Sequence, residues 1–265
     1  ESPEYKFVRE FGQAGNESNQ FLSIDDVAVD SIGRVFVTDL LSSPQEEAAG
    51  AVTAGTRAPA QPPKGKVCVK RWSVGGEFQL FWTSHVTAVE RPAAGIDCAP
   101  NGDPFYVAPW YYMDPYGSAI AHTDPSGNLY AHFPTAWFSN TLGHYMRDVA
   151  ISADGHAYAI LYAATPSLAA PPAVTPYVVR YDWNGSSWIN TAADEVTPTP
   201  NVGGTPWSLA VDTLRRLVYI TILKDAGGPA GVQLYDLNLN YQGSYSPVTY
   251  DAQPLGIAID GRDGS

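Results

Sequence analysis

The sequence has few charged residues: Asp, Glu, Lys and Arg make up 16% of its 265 residues, against about 25% in an average soluble domain. Positive charge is scarcest, with 15 Lys and Arg against 27 Asp and Glu, so the formal net charge is −12. Nucleic acids and anionic membrane surfaces bind to positive patches. We therefore expect neither of them among the partners.

The sequence also lacks any apolar run near the roughly 18 residues that a membrane span needs, so we predict no membrane span. Its 2 cysteines, Cys68 and Cys98, form no CxxC or CxxCH motif, which excludes a zinc site of that kind and covalent haem. Both lie on predicted strands of neighbouring units. They are either a disulfide, if the compartment is oxidising, or two small buried hydrophobes.

Helical periodicity is nearly missing, and most apolar segments alternate with period two, as strands do. The clearest stretch is residues 11–39, FGQAGNESNQFLSIDDVAVDSIGRVFVTD. It contains a Gly-rich turn, the strand-like run VAVD, a tight turn at SIG and a second strand-like run, RVFVTD. This stretch resembles the NHL repeat, a strand-pair unit of β-propellers with the usual pattern FG..G...F..P.GVAVD..G.IYVAD.

Degraded copies of this unit follow along the chain. VAVDSIG at 27–33, SLAVDTL at 208–214 and GIAIDGR at 256–262 share an apolar-Ala-apolar-Asp pattern, while GIDC at 95–98 and DVAIS at 148–152 are more divergent. We interpret the final Asp, as in Asp30 and Asp212, as a cap of the following turn rather than a metal ligand. The prediction is an all-β protein, with residues 1–265 forming one β-propeller of five or six blades, each a four-stranded antiparallel sheet.

The repeats predict that the last blade is incomplete within this chain. Residues 5–11 read as the outermost strand of that blade and residues 255–260 as its innermost strand, with two strands missing between them. Open sheet edges are templates for strand addition. We predict an interaction surface there, with other copies of the chain as the first candidate partner and a filament as the product; it comprises Tyr5, Phe7, Leu255, Ile257 and Ile259.

The long loops are all predicted on one face of the propeller, and long loops on a rigid scaffold are where binding usually occurs. The longest is an insertion at 40–65, and the loop 109–117 carries four aromatic residues: Trp110, Tyr111, Tyr112 and Tyr116. These rings either form an exposed contact for a protein or a glycan, or cover the blade below them.

No residue set identifies a catalytic site, so we predict no catalytic residue, no metal ligand and no cofactor. Lactonase-type propellers use calcium and amidating-lyase propellers use three histidines. We do not find the calcium-binding set in this sequence. Of the histidines, only His85 and His144, both predicted in loops, would lie on the same face of the propeller, so the set of three is incomplete. Asp25-Asp26 and Arg147-Asp148 begin innermost strands, and form either a cation site or, as we prefer, a salt-bridged rim.

The function predicted from the sequence is a non-enzymatic interaction or structural propeller. The alternatives are a metal-dependent hydrolase or lyase and a glycan-binding propeller. Low Lys, 16 Tyr and two glycosylation sequons at Asn16 and Asn184 favour a secreted or cell-surface location.

Overall fold

The described part of the computed structural model consists entirely of strands, turns and irregular segments. It covers residues 10–15, 17–42, 65–83, 94–109, 118–133, 144–164, 174–184, 187–189, 195–196, 205–223, 230–245 and 255–259. Within these ranges there are 17 strands and no helix, so the all-β prediction is confirmed for them. Accordingly, these ranges offer no helix that could cross a membrane.

The strands form four antiparallel sheets, each built from consecutive strands. Sheet 1 comprises β1 (Asp26–Val29), β2 (Val35–Ser42), β3 (Gly65–Trp72) and β4 (Phe78–Thr83). Sheet 2 comprises β5 (Ala94–Cys98), β6 (Pro104–Pro109), β7 (Ser118–Thr123) and β8 (Leu129–Phe133). The predicted four-stranded units therefore exist in this half of the chain.

Sheets 3 and 4 repeat the same order. Sheet 3 comprises β9 (His144–Ile151), β10 (His156–Ala164), β11 (Val174–Trp183) and β12 (Trp188–Ile189), and the two-residue β13 (Glu195–Val196) also pairs with β11. Sheet 4 comprises β14 (Thr205–Asp212), β15 (Leu217–Leu223), β16 (Gly231–Asp236) and β17 (Tyr241–Tyr245).

The turns after β1 and β14 are each held by a side-chain cap. Asp30 Oδ1 accepts hydrogen bonds from the backbone N–H groups of Ile32 (3.1 Å) and Arg34 (2.8 Å), and Asp212 Oδ1 accepts one from Arg215 N at 2.8 Å. The turn needs a left-handed residue, which Gly33 supplies with φ 83°. The predicted capping role of the repeated Asp is thus confirmed at both positions.

Consecutive sheets pack face to face through apolar clusters. Phe36 and Trp82 of sheet 1 meet Ile96 and Tyr106 of sheet 2, and similar clusters join sheet 2 to sheet 3 and sheet 3 to sheet 4. This arrangement is consistent with a propeller-like fold. Aromatic residues on outer strands only partly fill these interfaces, because Phe81, Tyr130 and Tyr241 are exposed.

Residues 10–15 and 17–22 cover the outer part of the face of sheet 1 that points away from sheet 2. Phe11 and Phe21 both contact the ring of Trp72, with centroid distances of 5.5 and 4.8 Å. Beneath them, Lys70 Nζ contacts Asp39 Oδ2 at 2.6 Å. Lys70 also donates to the carbonyl of Gln20. The Gly-rich part of the NHL-like stretch therefore packs on the strands that follow it.

The structure selects between the two alternatives for the cysteines and corrects one further expectation. Cys68 and Cys98 are free thiols rather than a disulfide, because alternation along β3 directs Cys68 away from the face on which Val69 and Cys98 pack. Burial raises the pKa of Cys68 to about 12. His144, predicted in a loop, is the first residue of β9.

Candidate interaction site at the central cavity

The innermost strands of the four sheets line a cavity of about 450 Å³, which we call the central cavity. Its walls are β1, β5, β9 and β14, together with Ile257, Ala258 and Ile259 from segment 255–259. A smaller cavity of about 280 Å³, the mouth, shares Asp26, Asp148, Ser208 and Ile257 with it. The last repeat thus contributes its predicted innermost segment beside the other four.

β-Bulges at equivalent positions of three innermost strands, β5, β9 and β14, shape the mouth. The pairing register shifts between Ala94 and Ile96, between Ile160 and Leu161 opposite Arg147, and between Pro206 and Leu209. Such bulges re-aim side chains. Arg147 and Trp207 both line the mouth, where the guanidinium Cζ lies 3.9 Å from the Trp207 ring centroid.

Two carboxylates of the central cavity, the half-buried Asp26 and the buried Asp148, join neighbouring sheets through backbone hydrogen bonds. Asp26 Oδ1 accepts from its own neighbour Val27 N at 2.8 Å, and Oδ2 accepts from Ile96 N of sheet 2 at 2.9 Å. Asp148 repeats this arrangement: Oδ1 accepts from Val149 N at 2.9 Å and Oδ2 from Leu209 N of sheet 4 at 2.8 Å. Each carboxylate therefore fixes one innermost strand against the next.

A third carboxylate makes the same kind of connection from a different strand position. Asp97 Oδ1 accepts from Cys98 N at 2.8 Å, and Oδ2 accepts from Ile151 N of sheet 3 at 2.7 Å. Asp148 has an additional partner, the Ser208 hydroxyl, at 2.7 Å.

The preferred prediction of a salt-bridged rim is therefore wrong for the described residues, since Asp26 and Asp148 bind backbone amides and Arg147 lies on an aromatic ring.

Burial dominates the electrostatics of this site. It raises the pKa of Asp148 to about 7 and that of Asp97 to about 6, although backbone hydrogen bonds oppose both shifts. At the mouth, burial raises the pKa of Asp25 to about 7, and the charge of Arg147 opposes that rise. Asp25 Oδ2 has no hydrogen-bond partner among the described residues. No group of three or more His, Cys, Asp or Glu in the described residues is arranged to hold a metal.

Space for the Asp148 carboxylate exists because residue 95 is glycine. A Cβ built on Gly95 would lie 1.8 Å from Asp148 Oδ1 and 2.7 Å from Asp148 Cα. Side-chain rotation cannot move the Cα, so Gly95→Ala must displace β9 from β5. We expect the free energy of unfolding to fall by about 1–3 kcal/mol or more, measured by chemical denaturation.

Gly256→Ala is the matched control for this substitution. Gly256 occupies the equivalent position in segment 255–259, and a Cβ there would meet nothing within 4 Å. We expect this variant to unfold like the unchanged protein. Equal stability of the Gly95→Ala and Gly256→Ala proteins would contradict the close approach of β5 and β9.

Apolar residues of β1 are exposed beside the central cavity. Val27 and Val29 are 55% and 60% exposed, whereas Ile96, Val149 and Leu209, which match Val27 in the other sheets, are at most 4% exposed. Those three residues pack against the sheet that precedes their own. The corresponding face of β1 has no such sheet among the described residues.

Part of the predicted interaction surface lies at the central cavity, which Val27 and Val29 also line. Leu255 is exposed, and Ile257 and Ile259 are half-buried on the cavity wall. Segment 255–259 has no strand partner in the described ranges. The remaining predicted interaction residues lie outside these ranges: Tyr5, Phe7, Trp110, Tyr111, Tyr112 and Tyr116.

Comparisons with known proteins do not assign a family. No protein-family model matches the chain, and no curated protein matches it. Among solved structures, it is similar to a protein of unknown function from Bacteroides caccae, with 12% sequence identity, a TM-score of 0.46, and coverage of 88% of this chain and 85% of that one.

Proposed function

We propose that this chain is a non-enzymatic, secreted or cell-surface β-propeller with NHL-like repeats that binds other proteins at an incomplete last blade. In this proposal, segment 255–259 is the innermost strand of a fifth blade. Strands from another polypeptide, in the first instance another copy of the chain, complete that blade. The loop-rich face is a second contact surface, which rests on the sequence alone.

The exposure of Val27 and Val29 is the observation that carries this proposal. The counterparts of Val27 in the other three sheets, Ile96, Val149 and Leu209, are buried against a preceding sheet, so β1 exposes an apolar surface where a preceding sheet would pack. Segment 255–259 lies nearby with no strand partner among the described residues. Burying apolar surface and pairing open strand edges both favour association.

The polar groups of the central cavity favour binding over catalysis. Asp26, Asp97 and Asp148 use both carboxylate oxygens to hold backbone amides. Groups engaged in this way hold strands together instead of presenting themselves to a substrate. Asp25 then remains as the one acid of the mouth with an oxygen that has no hydrogen-bond partner in the described structure.

The oligomeric state of the 265-residue chain tests the proposal. We expect assemblies that grow with protein concentration, measured by light scattering coupled to size-exclusion chromatography, and filaments in negative stain if the contact does not close. The double variant Val27→Glu and Val29→Glu should be monomeric, because association would bury two carboxylates without partners.

Ile32→Glu combined with Val74→Glu is the matched control. Ile32 and Val74 are 68% and 71% exposed, but they lie in the β1–β2 and β3–β4 turns and not on the exposed face of β1. This variant should assemble like the unchanged chain. A monomeric unchanged protein over a wide concentration range would rule out self-association, and equal loss of assembly in both variants would remove the role of the β1 surface.

A further inference from the structure

An aromatic pocket of about 330 Å³ lies between sheets 2 and 3, away from the central cavity. It is formed where the turns after β5 and β9 approach the β11–β12 hairpin. Its side chains include Phe105, His122, Ile151, Trp183 and Trp188. The volume falls within the range of roughly 300–1,000 Å³ typical of small-molecule sites.

The aromatic rings of the pocket meet at steep angles. Trp188 lies at 89° to Phe105 and at 55° to Trp183, with ring centroids 5.4 and 5.6 Å apart. Phe105 in turn stacks on His122 with a centroid distance of 4.1 Å. Trp183 is 46% exposed. Rings in several planes present π faces in several directions, which is the geometry that surrounds a rounded group rather than a flat one.

A carboxylate lies directly behind this aromatic wall. Asp103 Oδ2 is 2.7 Å from Asn101 Nδ2 and 3.4 Å from His122 Nε2, and both Asn101 and His122 line the pocket. No Lys or Arg of the described ranges forms an ion pair with Asp103. Burial lowers the pKa of His122, so its ring is neutral at pH 7 and leaves the negative charge of Asp103 uncompensated.

We propose that this pocket binds the trimethylammonium group of a small organic cation. Aromatic faces attract such a cation, and the Asp103 carboxylate adds a complementary charge behind them. A sugar fits less well, because its hydroxyls need several polar partners and the amide of Asn101 is already engaged with Asp103. An anion is disfavoured by Asp103 and by the net charge of −12.

Choline and its neutral isostere 3,3-dimethylbutan-1-ol test the proposal, since they share shape and differ in charge. In isothermal titration of the 265-residue chain, we expect choline to bind at least about fivefold more tightly than the isostere. Trp183→Ala should weaken choline binding, whereas Tyr245→Ala, an exposed aromatic on sheet 4, should not. Asp103→Asn should reduce the preference for choline and leave isostere binding unchanged.

Vesicles separate the two sources of a trimethylammonium group. Cosedimentation with phosphatidylcholine vesicles but not with phosphatidylglycerol vesicles would assign the site to a lipid head group, and choline binding without cosedimentation would assign it to a soluble cation. Either result supports trimethylammonium recognition. Absence of choline binding, or equal affinity for choline and its isostere, would overturn it.

Discussion

Lys70→Met is expected to lower the free energy of unfolding by about 3–5 kcal/mol. Lys70 and Asp39 form an ion pair at 2.6 Å, and their side chains are 1% and 0% exposed. Asp39 also accepts hydrogen bonds from Leu22 N and Ser23 N. Without Lys70, the buried carboxylate of Asp39 keeps only the hydrogen bonds from those two backbone amides. Chemical denaturation measures the loss.

A double-mutant cycle isolates the ion pair from the packing around it. Lys70→Met combined with Asp39→Leu should destabilise by less than the sum of the two single changes, because no charge is then left buried alone. Arg216→Met is the control, because Arg216 is 3.8 Å from Asp154 and is 69% exposed. We expect this substitution to lower the free energy of unfolding by less than about 1 kcal/mol. Additive effects of Lys70→Met and Asp39→Leu would refute the coupling.

Stability should increase as the pH falls from 8 to about 5. The folded pKa of Asp148 is about 7, against 3.8 for an ordinary Asp. Between these values the folded protein binds more protons than the unfolded chain, so the free energy of unfolding decreases as the pH rises. For the buried Asp148 carboxyl, the increase in pKa from 3.8 to about 7 corresponds to a loss of roughly 4 kcal/mol in the free energy of unfolding as the pH rises through both values. Asp97 changes stability in the same direction; Asp25 does too, less strongly because it is half-exposed.

Thermal unfolding across this pH range measures the effect, and two variants assign it. Asp148→Asn cannot ionise and should flatten the pH dependence. Asp236→Asn should not, because local hydrogen bonds lower the pKa of Asp236, so that group titrates below the range. A melting temperature that is constant or rises from pH 5 to 8 would contradict the burial of these acids.

The strands could be predicted largely from sequence because alternation is a local signal. The strand-like runs VAVD and RVFVTD within residues 11–39 correspond to β1 (Asp26–Val29) and β2 (Val35–Ser42). β9 and β14 begin earlier than predicted, since the register shifts near Arg147 and Trp207 break the alternation that marks a strand. The pattern therefore detects only the regular part of each innermost strand.

The chemistry of the central cavity was less accessible from sequence. Asp26 and Asp148 stand out as acids before an apolar run, but their partners are backbone amides 70 and 61 residues away. Backbone amides carry no sequence signal. Asp97 lies within a short strand and gave no indication of its role. The aromatic pocket was missed because Trp183 reads as part of a turn, and its closeness to Phe105 depends on how sheets 2 and 3 pack.

The carboxylate connections between sheets all run in one direction. Asp26 accepts from sheet 2, Asp97 from sheet 3 and Asp148 from sheet 4, so the acceptor always belongs to the sheet nearer the N-terminus. During synthesis, the sheet emerging from the ribosome therefore meets a binding group that has already been made. The direction of these contacts therefore follows the order in which the sheets are synthesised.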